Sequence, residues 1–225
     1  MEIKNVALRF LSIVMVISWT AIVMAQQSKV IEFVPADGDS KKFSIRVNDQ
    51  NLLFETGDGS DSILFTPEAL VTIKHKDKSY SIQSYDDIYA KVSKKVTELA
   101  SAKETPASGT SVALRLTGET ETISGLKTRK LINISDGKTT GEIWVSTDLV
   151  PVKIRAAGDR LRSILPEDYW GKMHGSVGMP EIIMLYGIPL KIVHNGNKIY
   201  QASVRDDSSS RASFEVPPGY RKLPN

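Results

Sequence analysis

Residues 70–99, LVTIKHKDKSYSIQSYDDIYAKVSKKVTEL, change their apolar period once, and that change decides the fold class. In the first half, 70–73 and 80–82 are short strand-like runs flanking His75-Lys76-Asp77-Lys78-Ser79, a polar hairpin connection. From Ser84 onward the spacing becomes helical. Ile88, Val92, Val96 and Leu99 recur every three or four residues, with Tyr85 and Tyr89 alongside. Ser84 supplies an N-cap and Asp87 completes a capping box three residues on. Asp86 and Asp87 occupy the first turn and Lys94 and Lys95 the latter half, as the helix dipole favours. A meander followed by an amphipathic helix predicts a sheet with one face covered.

Working outward, the same strand grammar continues on both sides. Phe43, Ile45 and Val47 alternate with Ser44 and Arg46 and end at a turn-rich 48–51. Residues 52–54 and 62–65 are further strands, separated by Thr56-Gly57-Asp58-Gly59. A loop over 101–109, containing Pro106, ends the helix, and strands resume at 111–117. Residues 126–135 and 139–146 pair across Asp136-Gly137-Lys138, and 190–194 pairs with 198–204 across Asn195-Gly196-Asn197. Between these hairpins lies a partly helical insert, 156–186. Leu161, Ile164 and Leu165 form a stripe there, and Pro180 starts a second short helix over 181–186.

Composition bounds what such a domain can do. The chain has 225 residues, 41% hydrophobic and 24% charged, with no cysteine. Disulfides, thiol nucleophiles, Cys-ligated metals and a lipid-modified N-terminal cysteine are therefore excluded. A formal charge of +3, with the basic residues dispersed, gives no case for nucleic acid. At the N-terminus, Lys4 and Arg9 precede an apolar run over 10–23, and Val23-Met24-Ala25 offers a cleavage site before Gln26. This is secretory-signal grammar, with cleavage between Ala25 and Gln26. A bilayer span needs about 20 apolar residues, more than this run supplies. The mature chain, 26–225, is expected to be one domain, periplasmic, monomeric and without a transmembrane segment.

Catalytic and metal motifs are not found. His75, His174 and His194 fall in no metal-ligand pairing, and each is read as exposed or structural. Gly175-Ser176-Val177-Gly178 is not a nucleophile elbow, because its serine is off register. Asp pairs at 37/39, 58/61, 86/87 and 206/207 are explained by turns and caps. No catalytic residue, metal or cofactor is assigned, and the expectation is a protein that is not an enzyme. The stretch that stands out is apolar: residues 177–190 carry a single charge. Read as core it needs no further explanation. Read as a pocket lining, it offers Met179, Ile183, Met184, Tyr186, Ile188 and Leu190, joined by Trp144 and Trp170, as contacts for an apolar ligand.

Three segments carry a resemblance: residues 116–127, residues 141–149 (GEIWVSTDL) and the closing Phe214-Glu215-Val216-Pro217-Pro218-Gly219-Tyr220. In that order and spacing the chain resembles a bacterial periplasmic family of unknown function related to the outer-membrane lipoprotein carriers LolA and LolB. The resemblance is specific over 111–225 and rests on strand pattern alone over 30–80. It implies a mainly β (α+β) fold, an antiparallel curved sheet closed into a half-barrel, with covering helices on the concave side. It also implies a lipid or lipoprotein partner. Three functions stay open. The first is an exported binding module holding an acyl chain or other apolar group. The second is a non-catalytic envelope structural or interaction protein whose cavity is filled by its own side chains. The third is an enzyme of unknown type.

Overall fold

The computed structural model describes residues 28–35, 43–101, 112–135, 137–166, 178–194, 196–207 and 214–224. The signal segment with Ala25 and Gln26, and Trp170, lie outside them. Twelve strands form one sheet: β1 (Ser28–Pro35), β2 (Phe43–Val47), β3 (Leu52–Glu55), β4 (Asp61–Phe65), β5 (Ala69–Lys74), β6 (Ser79–Ser84), β7 (Val112–Ile123), β8 (Leu126–Ser135), β9 (Lys138–Ser146), β10 (Ile188–His194), β11 (Asn197–Asp207) and β12 (Arg221–Lys222). Their order is β12-β6-β5-β4-β3-β2-β1-β11-β10-β9-β8-β7. Among the described residues three helices accompany them: α1 (Tyr85–Ser101), α2 (Val152–Ile164) and α3 (Met179–Tyr186). The fold is mainly β, an open curled half-barrel with helices packed into it. One pairing departs from the antiparallel expectation. The two-residue β12 lies parallel to β6, with Arg221 opposite Ser79.

The two meanders meet at β1, which pairs β2 on one side and β11 on the other, Ser28 facing Asp207. Curvature is visible in one contact. The Ser124 hydroxyl at the β7–β8 turn donates to the Ala202 carbonyl of β11, at 2.9 Å. Three strands separate β7 from β11, so a flat sheet would hold them about 19 Å apart at the usual strand spacing. A bulge between Leu116 and Thr120 bends the hairpin across.

Alternation sorts the side chains between two faces. Ile31, Phe33, Ile45, Val47, Leu52, Phe54 and Phe65 face inward into the main core, with Tyr85 and Tyr89 of α1, Ile154, Ala157 and Leu161 of α2, and Ile183, Met184 and Leu185 of α3. The intervening Leu53, Leu64, Val71 and Ile73 form a second cluster on the outer face, under Phe214. Strands β3 to β5 are apolar on successive residues because both of their faces are covered.

The helices are fixed by specific contacts. Ser84 caps α1 as expected: the Asp87 amide donates to its hydroxyl at 3.1 Å, and that hydroxyl donates to the Asp87 carboxylate at 2.7 Å. Helix α2 begins at Val152, directly after Pro151, four residues ahead of the expected insert. Tyr89 ties α1 to α2, donating to the Ala157 carbonyl at 3.1 Å. The Arg160 guanidinium lies 4.2 Å from the Tyr89 ring centroid. Gly158 lets α3 approach, since a Cβ there would lie 1.8 Å from the Met184 carbonyl oxygen. Helix α3 begins at Met179, with Pro180 in its first turn.

Candidate functional site

The inner face gathers seven of the eight expected ligand contacts into one place. Trp144, Ile183, Met184, Ile188 and Leu190 belong to the main core, and Met179 and Tyr186 pack against it. Ile183 and Leu190 are completely buried, as nearly is Ile188. These side chains fill the concavity themselves. Trp144 lies beneath two ammonium groups, Lys191 at 5.0 Å and Lys130 at 5.7 Å from its ring centroid. Lys130 bridges Glu142 at 2.8 Å and Glu119 at 3.3 Å, and Lys191 pairs with Glu121 at 2.9 Å. The hydrogen bond to Glu142 holds the Lys130 ammonium above its ordinary pKa, and Glu119 adds to it. Among the described residues the Trp144 indole N–H finds no acceptor.

Burial likewise governs the two tyrosines on α1. The Tyr85 hydroxyl donates to the Thr66 carbonyl at 2.9 Å. Desolvation pushes its pKa well above the usual phenol range, and Tyr89 adds to the shift. Tyr89 is raised in the same direction, again chiefly by burial.

The outer face holds an arrangement that local sequence does not reveal. His75, in the β5–β6 turn, sets Nε2 2.7 Å from the Ser62 hydroxyl and Nδ1 3.0 Å from the Tyr220 hydroxyl. Ser62 and Tyr220 lie 158 positions apart in the chain, and only the packing of the C-terminal segment over β5 and β6 brings them together. With Nδ1–H donating to Tyr220, Nε2 accepts from Ser62, so one neutral imidazole satisfies both hydroxyls. Three amides of the nearby loop are bonded within it. Gly59 donates to the Thr56 carbonyl, Ser60 to the Asp58 carboxylate and Asp61 to the Thr56 hydroxyl. The chain works as a tether for residues 214–222.

Beside this tether a cavity of about 570 Å³ opens across the outer ends of β1 to β4. Its lining includes Glu32, Phe43, Ser44, Glu55, Ser62 and His75. A second cavity, about 460 Å³, lies against Lys29, Asp49, Asp148 and Val152. Neither is lined by any of the seven described residues expected to contact an apolar ligand. Among the described residues, no group of three or more His, Asp or Glu is placed to hold a metal ion. No helix among them is long and apolar enough to cross a membrane.

No protein-family model matches this chain, and no curated protein matches it. Three solved structures illustrate the likeness that exists. PNGF-II aligns over 87% of this chain at 16% identity, with a TM-score of 0.45. MucB in complex with MucA(peri) aligns over 89% at 8% identity, with a TM-score of 0.33. A LolA superfamily protein of Nitrosomonas europaea aligns over 84% of this chain and 89% of its own, at 10% identity and a TM-score of 0.23. The chain spans 30% of PNGF-II and 57% of MucB. The fold assignment stands on the sheet order and the core, not on these scores.

Proposed function

We propose that this chain is an exported, non-catalytic binding module of the bacterial cell envelope that works through its outer surface. The observation that carries this reading is the filled concavity. Ile154, Ile183 and Leu190 are completely buried there, and the residues expected to contact an apolar ligand pack against one another instead. Export rests on the N-terminal grammar of residues 1–25.

A carrier of acyl chains is the second reading, favoured by the make-up of α3. This helix is eight residues long, is flanked by Gly178 and Gly187, and brings Met179 and Met184. Methionine re-packs readily around irregular ligands. On this reading a lipid enters only by displacing α3.

Native mass spectrometry of protein purified from its own envelope, without delipidation, separates the two. The expected spectrum shows the polypeptide beginning at Gln26 and carrying no lipid. A stoichiometric acyl lipid overturns the outer-surface reading in favour of the carrier, and a retained leader overturns the export assignment.

A further inference from the structure

We propose that the outer-face cavity beside His75 is a binding site for a neutral saccharide. The inference deepens the outer-surface reading above and rests on it. The cavity volume, about 570 Å³, falls in the range of small-molecule sites. Its floor is a polar row set by strand register, in which Glu32 faces Ser44, Ser44 faces Glu55 and Glu55 faces Ser62. Directly opposed residues share a sheet face, so two carboxylates and two hydroxyls stand in line on neighbouring strands. Glu32 and Glu55 are two strand steps apart, about 9–10 Å, wide enough to seat a ring between them.

The charge pairing selects the ligand class. Arg205 sits 2.7 Å from Glu32, and Arg46 sits 3.5 Å from Glu55, so neither carboxylate is an open trap for a cation. The same pairs leave no surplus positive charge to hold an anion, and both nitrogens of His75 are engaged. Ser44 and Arg46 both meet Glu55 at Oε2, so among the described residues Oε1 keeps its acceptor capacity. The site therefore presents fixed acceptors and hydroxyls of no net charge. Val34, exposed at the rim and two residues from Glu32 on the same face, adds an apolar edge against which the C–H face of a sugar can pack. Charge-compensated acceptors beside an apolar edge suit a polyhydroxylated, uncharged ligand.

The test is saturation-transfer NMR and titration of the full chain with chitotriose, cellotriose and maltotriose, and with putrescine as the cationic probe. At least one trisaccharide is expected to bind. Glu55→Gln is expected to weaken it about tenfold, by weakening hydrogen bonds to a charged acceptor. Val34 is exposed at the cavity rim, so Val34→Trp fills the space without entering the core and is expected to abolish binding. Glu98→Gln on α1 is expected to leave binding unchanged. Far-ultraviolet circular dichroism and melting confirm that each variant folds. No saccharide binding, binding unaffected by both cavity variants, or binding of putrescine alone overturns the proposal. None of these outcomes depends on whether lipid occupies the inner face, which native mass spectrometry reads separately.

Discussion

Gly158→Ala sets two physical effects in opposition, and their balance tests how closely α2 and α3 pack. On helix propensity alone the substitution stabilises, because Ala is favoured over Gly in a helix interior by about 1 kcal/mol. The structure predicts the opposite sign. A Cβ at position 158 would lie 1.8 Å from the Met184 carbonyl oxygen and 3.0 Å from its carbonyl carbon. These are backbone atoms of α3, so no rotamer change relieves the clash, and the helices must separate by more than an ångström. Separation disturbs Ile154, Ala157 and Leu161 on one side and Ile183, Met184 and Leu185 on the other. Overpacking of this kind costs typically 1–3 kcal/mol, and a forced backbone shift belongs at the upper end. Less the propensity gain, Gly158→Ala should lose about 1–2 kcal/mol. In a chain of this size that lowers Tm by about 2–8 °C. Urea unfolding should show a lower midpoint at unchanged slope, with Gly158→Ser no more stable. A Gly158→Ala protein as stable as the parent, or more stable, refutes the close contact and with it the tightly closed inner face.

Three further substitutions address the outer cluster and the buried Tyr85 phenol. Phe214→Ala should destabilise by about 3 kcal/mol, because Phe214 is buried over Leu53, Leu64, Val71 and Ile73. Tyr220→Phe should cost only about 1 kcal/mol, the worth of its hydrogen bond to His75. Limited proteolysis should show cleavage near 208–224 in the first variant before the second. A protease-resistant Phe214→Ala chain counts against the packing of the C-terminal segment over the outer cluster. In alkali, burial keeps the Tyr85 phenol neutral in the folded chain, so the unfolded chain gives up its proton first. Stability held below about pH 10 should then fall as pH rises, by up to about 1.4 kcal/mol per pH unit from this group. Tyr85→Phe should flatten the decline measured by urea unfolding between pH 9 and 11. An unchanged slope rejects the assignment.

Local signals carried much of the architecture. The 43–82 meander, the Ser84 cap and the β8–β9 and β10–β11 hairpins are each decided within a few residues, and each appears in the structure. What was missed depends on distant partners or on exposure. Strand β1 carries only a short alternation of its own, and its neighbours lie at β2 and, some 170 positions away, at β11. The second half of β7, Thr117 to Thr122, is polar because it is an exposed edge, so no apolar period marks it. Its Ser124-Gly125 turn was a usable sign, since both residues adopt positive φ as a two-residue hairpin requires. Helix α2 starts early because Pro151 pre-sets the backbone there, although no side chain caps it. His75 was read as exposed or structural, and its tether to Tyr220 spans 145 positions. The polar row from Glu32 to Ser62 was invisible for the same reason, because register, not spacing, lines it up.

The two faces of the sheet therefore make separable demands on one chain. An inner face that admitted a lipid would need α3 to leave, yet the Gly158–Met184 approach shows two helices packed backbone to backbone. Glycine at that position gives up about 1 kcal/mol of helix propensity, and the close approach compensates only if the helices stay together. A gate would tolerate alanine there, because an opened interface has room for a methyl group. A plug would not. The sign of the Gly158→Ala effect thus bears on function as well as packing. If the variant loses stability as expected, recognition is directed to the outer face, where Glu32 is exposed and Ser44 and Glu55 are half-buried in the charge-compensated row beside His75.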